Sequence, residues 1–247
     1  MEFNINPCEG FFYEEDTHSY FMDGKLIPGV TTICGNLGKP WLAAWKVKMA
    51  VEYVRDHLRP ETAYSKKAVD LILTTAKGEA NKRRDTAADK GKEVHAWVEA
   101  YIKGEQAVPA SKDKEVDAVI QKFLAWEKAT APKWLKSEMM VASRQHEYAG
   151  TLDFIAEIAG KIVLGDFKTS KPGYHWDWGL QTAGYQGAVE EQGGKVDERL
   201  VVNLPMVGGE VTAYPVKTPY DLDWKTFLSL RQAQKWVSYT DARKEMN

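Results

Sequence analysis

The segment Tyr148 to Ser170, YAGTLDFIAEIAGKIVLGDFKTS, constrains this chain more than any other. Two strand-like apolar runs, one carrying Leu152, Phe154 and Ile155 and the other Val163, Leu164 and Phe167, flank Ala159-Gly160, a pair suited to a tight hairpin turn. Residues two apart on a strand share a face, so Asp166 and Lys168 project together, and Asp153 can meet them from the neighbouring strand. Two carboxylates and an ammonium on an apolar hairpin are costly unless a cation or a substrate fills the space between them. The pattern therefore points to a hard-metal site with a lysine beside it. A bare D-x-K would read better as an ion pair between Lys168 and one aspartate. The G-T-x-D run upstream, Gly150 to Asp153, moves the balance toward the metal site.

The rest of the composition narrows the class. The chain has 247 residues, 44% hydrophobic and 28% charged, enough for one substantial core, with no low-complexity linker to divide it. A net charge of −2 does not advertise a nucleic-acid binder, so such a role must rest on a local basic patch. Cys8 and Cys34 cannot make a four-thiolate zinc or iron–sulfur site, and they suggest a reducing compartment. No segment approaches the roughly twenty apolar residues of a membrane span, and the amino terminus lacks the basic-then-apolar pattern of a signal peptide, so a cytoplasmic protein is expected.

Along the chain, residues 11–27 read as small strands joined by turns at Glu15-Asp16 and Asp23-Gly24. An amphipathic helix follows from Trp41 to about His57. Pro60 can start another, over Ala63 to Lys77, and a further helical pattern runs from Asn81 to Ile102. A turn-rich stretch, KGEQAVPASKD, leads to a helix from Val116 to Lys128. Glu138 to Ser143 reads as a strand before the central hairpin, and Asp177 to Glu191 as a helix after it. Arg199 to Leu204 and Val211 to Val216 form a second hairpin around Val207-Gly208-Gly209, and a helix from about Asp223 to Arg243 closes the chain. A mixed sheet flanked by helices, after a helical amino-terminal half, is the simplest α/β architecture.

Two helical pairs add to the central hairpin. His95 and Glu99, in GKEVHAWVE, lie four apart on one helix face. Alone they would be an ordinary helix histidine and its partner, but imidazole added to carboxylates makes a site friendlier to manganese. Gln181 and Tyr185, in LQTAGYQ, repeat the spacing on the next helix; a polar stripe with a core tyrosine explains that pair equally well.

Together these residues resemble the PD-(D/E)XK nuclease superfamily, within it the branch typified by the nuclease domain of RecB and by phage recombination exonucleases. The resemblance runs over G-x-x-V-H (Gly91, Val94, His95), G-T-x-D, D-x-K and Q-x3-Y, in the order and spacing of that branch. Tyr20 to Ile33, with Lys39-Pro40-Trp41, is similar to the opening of phage-encoded members. The first acidic residue of the pattern often follows proline; here Asp153 follows Thr151-Leu152, a substitution frequent in the RecB-like branch.

The resemblance implies a restriction-endonuclease-like core with a mixed central sheet flanked by helices. It implies a single domain over 1–247: an amino-terminal hairpin and helices over 1–80, a catalytic core over 81–204, and a closing hairpin strand and helix over 205–247. Asp153 and Asp166 would hold Mg²⁺ or Mn²⁺, with His95 and the Phe167 carbonyl as further ligands, and no iron–sulfur cluster. Lys168 would orient the attacking water and stabilise charge on the phosphate, and Gln181 and Tyr185 would position the strand being cut. Glu99 would be an outer partner of His95; Glu138 is a less favoured outer carboxylate.

The implied activity is metal-dependent DNA exonuclease cleavage in phage recombination or DNA processing. DNA is the implied substrate, with a phage single-strand annealing or recombination protein as partner, in the host cytoplasm if the chain is phage-encoded. A catalytically inactive binder of the same fold and a restriction-type endonuclease remain alternatives. Lys82, Arg83, Arg84 and Lys90 could grip phosphates, though each also reads as part of a solvated helix face. Trp176 and Trp178 could stack on an unpaired base or simply pack under the sheet edge.

Overall fold

The computed structural model describes residues 3–105 and 111–244. The turn-rich stretch after Ile102 therefore falls partly outside the described residues. The chain forms two compact units, one comprising residues up to Leu37 and from Val94 onward, the other Gly38–Glu93. These boundaries fall inside the stretches grouped above as 1–80 and 81–204.

The first unit begins with a three-stranded antiparallel sheet, β1 (Phe11–Glu14), β2 (Ser19–Met22) and β3 (Lys25–Ile27), ordered β1-β2-β3. The short helix α1 (Val30–Gly35) follows, buried through Val30 and Ile33. The second unit holds α2 (Pro40–His57), with proline at its first turn, and the first part of α3 (Lys66–Ile102). The two helices expected over Ala63–Lys77 and Asn81–Ile102 are one helix of 37 residues. Gly78, unaccompanied by proline, weakens a helix by about 1 kcal/mol and does not break it.

The rest of the first unit is built on a five-stranded sheet ordered β4-β5-β6-β7-β8. Helix α4 (Lys114–Thr130) is capped by the Asp113 carboxylate, which accepts from the Glu115 and Val116 amides. It leads into β4 (Lys133–Ser143), β5 (Tyr148–Ile158) and β6 (Lys161–Lys168), each antiparallel to the one before. Between β5 and β6, Ala159 and Gly160 both adopt positive φ, 50° and 78°, as the tight turn requires. Helix α5 (Asp177–Glu191) carries the chain over to β7 (Glu198–Asn203), parallel to β6, and β8 (Thr212–Pro215) returns antiparallel before α6 (Tyr220–Lys244).

Both faces of this sheet are covered, which explains why β6 reads as a continuous apolar run. One core joins Leu152, Ile155 and Leu164 to Val30 and Ile33 of α1, Tyr185 and Ala188 of α5 and Phe227 of α6. The other joins Phe154, Val163 and Phe167 to Val94 and Val98 of α3 and to Val116, Ile120 and Phe123 of α4. The carboxyl-terminal turns of α3 are thereby fixed on the sheet. A buried ion pair links the helices of the first face: Arg199 donates to Asp223 of α6 at 2.9 Å and to the Gly179 carbonyl of α5 at 2.9 Å.

Candidate active site

The site lies where two strands part. The β5–β6 ladder runs from Ile158–Lys161 to Phe154–Gly165 and stops there, although β6 stays paired with β7 as far as Lys168. Phe154 lies across Gly165, so closely that a Cβ on Gly165 would sit 1.8 Å from its ring. Beyond that contact the Phe167 amide donates to the Asp153 carboxylate, at 2.5 Å. Asp153 and Asp166 thus stand at the start of a gap in the sheet.

The polar groups around the gap form one network. Lys168 Nζ lies 2.6 Å from Asp166 Oδ2 and donates to Gln181 Oε1 at 3.0 Å. Gln181 Nε2 donates to Asp166 Oδ1 at 2.8 Å and to the Tyr185 hydroxyl at 3.1 Å. The four-residue helical spacing of Gln181 and Tyr185 thus clamps the D-x-K pair from α5. On the other side, His95 Nδ1 sits 3.6 Å from Asp153 Oδ2. The helix bearing His95 is held there by its buried neighbours Val94 and Val98.

Glu138 is the residue that sequence reasoning left at the margin. The flanking pairs Ser137–Phe154 and Met139–Leu152 place it opposite Asp153 on β4. Its backbone is left-handed, with φ 46°. That conformation costs a non-glycine residue roughly 1–2 kcal/mol, and such strain collects at functional sites. One ligand atom each from His95, Glu138 and Asp153 lies within 4.8 Å of the others. Counting the register back from the β4–β5 turn would have found Glu138.

Burial and mutual charge set the protonation of the group. Burial opposes charge on His95, but Asp153 outweighs it and raises the imidazole to about 9. Burial, then the Asp153 charge, pushes Glu138 up to about 7. Burial also raises Asp166, to about 6, against the pull of Lys168. Asp153 moves the other way: burial is overcome by His95 and Lys168, and its pKa is lowered. Burial disfavours the Lys168 ammonium, yet Asp166 and Asp153 more than offset it, so Lys168 stays protonated. Two carboxylates and an imidazole within ligand reach suit Mg²⁺ or Mn²⁺, with a proton on His95 to be displaced. Asp166 accepts from Gln181 through Oδ1, while its Oδ2 is ion-paired with Lys168 at 2.6 Å and, among the described residues, is buried without a hydrogen bond.

The remaining candidates fall elsewhere. Glu99 is ion-paired with Lys103, while the imidazole of His95 faces Asp153. Phe167 sends its side chain into the core and its backbone between Asp166 and Lys168. Trp178 does not offer a face to a base: it is buried at 5% exposure, packed against Tyr174, His175 and Tyr214. Trp176 is exposed. Lys82, Arg83, Arg84 and Lys90 belong to the second unit. Arg83 is engaged by Glu79 at 2.7 Å and Arg84 by Asp85 at 2.9 Å, so part of that positive charge is offset locally.

No protein-family model matches the chain, nor does any curated protein. Among solved structures, the chain is similar to a protein from Eubacterium rectale whose exonuclease designation is itself provisional. The identity is 14% and the TM-score 0.43, over 78% of this chain and 81% of that one. It is also similar to an alkaline exonuclease from Laribacter hongkongensis, at 10% identity and TM-score 0.31, over 62% of this chain and 85% of that one. At that distance, the reading of the site rests on its own geometry.

Proposed function

We propose that this chain is a metal-dependent deoxyribonuclease of the PD-(D/E)XK type, acting on DNA ends in phage recombination or DNA processing. The observation that carries the reading is the convergence of His95, Glu138 and Asp153 beside the Asp166–Lys168 pair, at the gap between β5 and β6. A divalent cation held by His95, Glu138 and Asp153 would supply Lewis-acid activation of water and of the phosphate.

The chain's own groups account for the rest. Lys168, kept as an ammonium, stabilises charge that develops on the phosphate oxygens. Asp166 and Gln181 fix the direction of that ammonium. Burial raises Tyr185 well above the ordinary tyrosine value, so its hydroxyl stays neutral. That oxygen already accepts from Gln181, which leaves its own proton for a phosphate oxygen of the strand being cut.

Three DNA forms test the reading, each with Mg²⁺ or Mn²⁺ and with chelator: end-labelled linear, closed circular and uniformly labelled. Loss of the linear forms only, abolished by chelator, is the expected result. Cutting of circles would make the chain an endonuclease, and binding without cutting an inactive member of the fold.

A further inference from the structure

A groove in the first unit lies outside the cluster just discussed. It has a volume of about 720 Å³, within the range of ligand sites. One wall is Tyr20 with Thr31 and Thr32; the other is α6, through Arg231, Gln234 and Lys235. Arg231 is anchored by the His146 and Glu147 carbonyls, at 3.1 and 2.9 Å. Lys235 sits 2.6 Å from the one carboxylate on the lining, Glu147. Arg231 lies 3.8 Å from the same carboxylate, so two cations share one anion and one positive charge is in excess. The Gln234 amide oxygen is buried with no hydrogen-bond partner among the described residues, an acceptor with nothing to accept from.

The groove is linked through Tyr20 to the strand that carries Asp153. The Tyr20 hydroxyl hydrogen-bonds Thr151 Oγ1 at 3.1 Å, and Thr151 is two residues from Asp153 along β5. The neighbouring segment is pinned to that strand, since the Ala149 amide donates to the Pro28 carbonyl at 3.1 Å. The Tyr185 ring lies against the Gly150 backbone of the same strand, and its hydroxyl accepts from Gln181.

We infer that this groove is the track for one nucleic-acid strand, whose phosphates meet Lys235 and Arg231 before the chain passes Tyr20 into the cluster. The inference rests on the nuclease reading and extends it to the path of the substrate. Hydroxyls, an amide and a net positive charge suit a phosphodiester backbone, and the apolar Leu26, Ile27 and Pro28 on the same lining suit the faces of its bases.

The test is fluorescence anisotropy of a labelled eight-nucleotide single strand, with Ca²⁺ in place of Mg²⁺ so that nothing is cut. Lys235→Glu should weaken binding about 10-fold and flatten the salt dependence by roughly one unit of slope. Ser238→Trp, which fills the groove without altering charge, should also weaken binding. Lys225→Glu, on the same helix but outside the groove, should not.

A purely structural role for Lys235 would lie in its ion pair with Glu147, and Glu147→Gln breaks the same pair. The groove reading expects Glu147→Gln to bind at least as tightly as the parent. Glu147→Gln weakened like Lys235→Glu would overturn the inference. So would Lys235→Glu and Ser238→Trp binding as the parent does, in a protein that still cuts DNA. A parent that neither binds nor cuts DNA would overturn the nuclease reading along with it.

Discussion

At the scale of residues, Lys168 is the group whose loss should separate chemistry from binding. Its ammonium is held between Asp166 and Gln181, so it is not free to reach a distant phosphate. Lys168→Ala should bind DNA nearly as the parent does and lose at least ~10²-fold in turnover, the scale of one charge-stabilising group. Lys168→Arg should not restore it, because a planar fork cannot replace a compact ammonium held on two sides. Single-turnover rates and DNA affinity measured side by side check this; equal losses in both would make Lys168 a binding residue.

The raised pKa values carry a second prediction at this scale. The folded, metal-free protein holds protons on Glu138 up to about 7 and on His95 up to about 9, above their ordinary values of 4.5 and 6.5. Because the folded state binds the extra protons, both contributions favour folding at low pH and fade as pH rises. For Glu138 the loss runs from about 4.5 to 7, and for His95 from about 6.5 to 9. Melting temperature of the metal-free protein against pH should therefore fall less steeply in Glu138→Gln over the lower window and in His95→Gln over the upper one. Stabilisation by added Mn²⁺ should grow with pH, since the cation displaces those protons. Parallel melting curves for parent and variants would refute the assignment.

At the scale of elements, the gap between β5 and β6 depends on close backbone contacts. A Cβ on Gly150 would meet the Tyr185 ring at 2.6 Å and Val30 at 3.1 Å. Gly150→Ala should cost about 1–3 kcal/mol of stability by overpacking and also lower turnover by displacing Tyr185. Tyr185→Phe should lower turnover alone, because it keeps the ring and loses the hydroxyl. Denaturant unfolding and cleavage rate on one preparation distinguish the two variants, and Tyr185→Phe at full rate would strike Tyr185 from the site.

Much at this scale was legible in the sequence. Ala159-Gly160 announced the hairpin because a two-residue turn needs positive φ at both positions. The Q-x3-Y and D-x-K spacings placed their residues on shared faces by helical and strand period. Helix α1 was not legible, since six residues give too little periodicity to read. Glu138 was placed only as a less favoured outer carboxylate because its position opposite Asp153 comes from register across β4 and β5, a non-local property, and its left-handed backbone is announced by no residue type.

At the scale of the whole molecule, the chain divides its functional candidates between two units. The acidic cluster, the clamp from α5 and the groove beside α6 all belong to the unit built on the five-stranded sheet. The basic stretch around Lys82, Arg83 and Arg84 belongs to the helical unit of α2 and α3. Net charge near zero hid this uneven distribution, and periodicity alone could not tell where one unit ended within α3. Among the described residues no helix is long and apolar enough to cross a membrane.

The measurement that bears most directly on the proposed cation site is the rate of linear DNA hydrolysis as a function of Mn²⁺ concentration, for the parent, Glu138→Gln and Asp153→Asn. The parent rate should rise to saturation, Glu138→Gln should need about 10-fold more Mn²⁺ for half the rate, and Asp153→Asn should stay at background throughout. A parent rate independent of Mn²⁺ and unaffected by chelator, or Asp153→Asn cutting at the parent rate, would contradict the account.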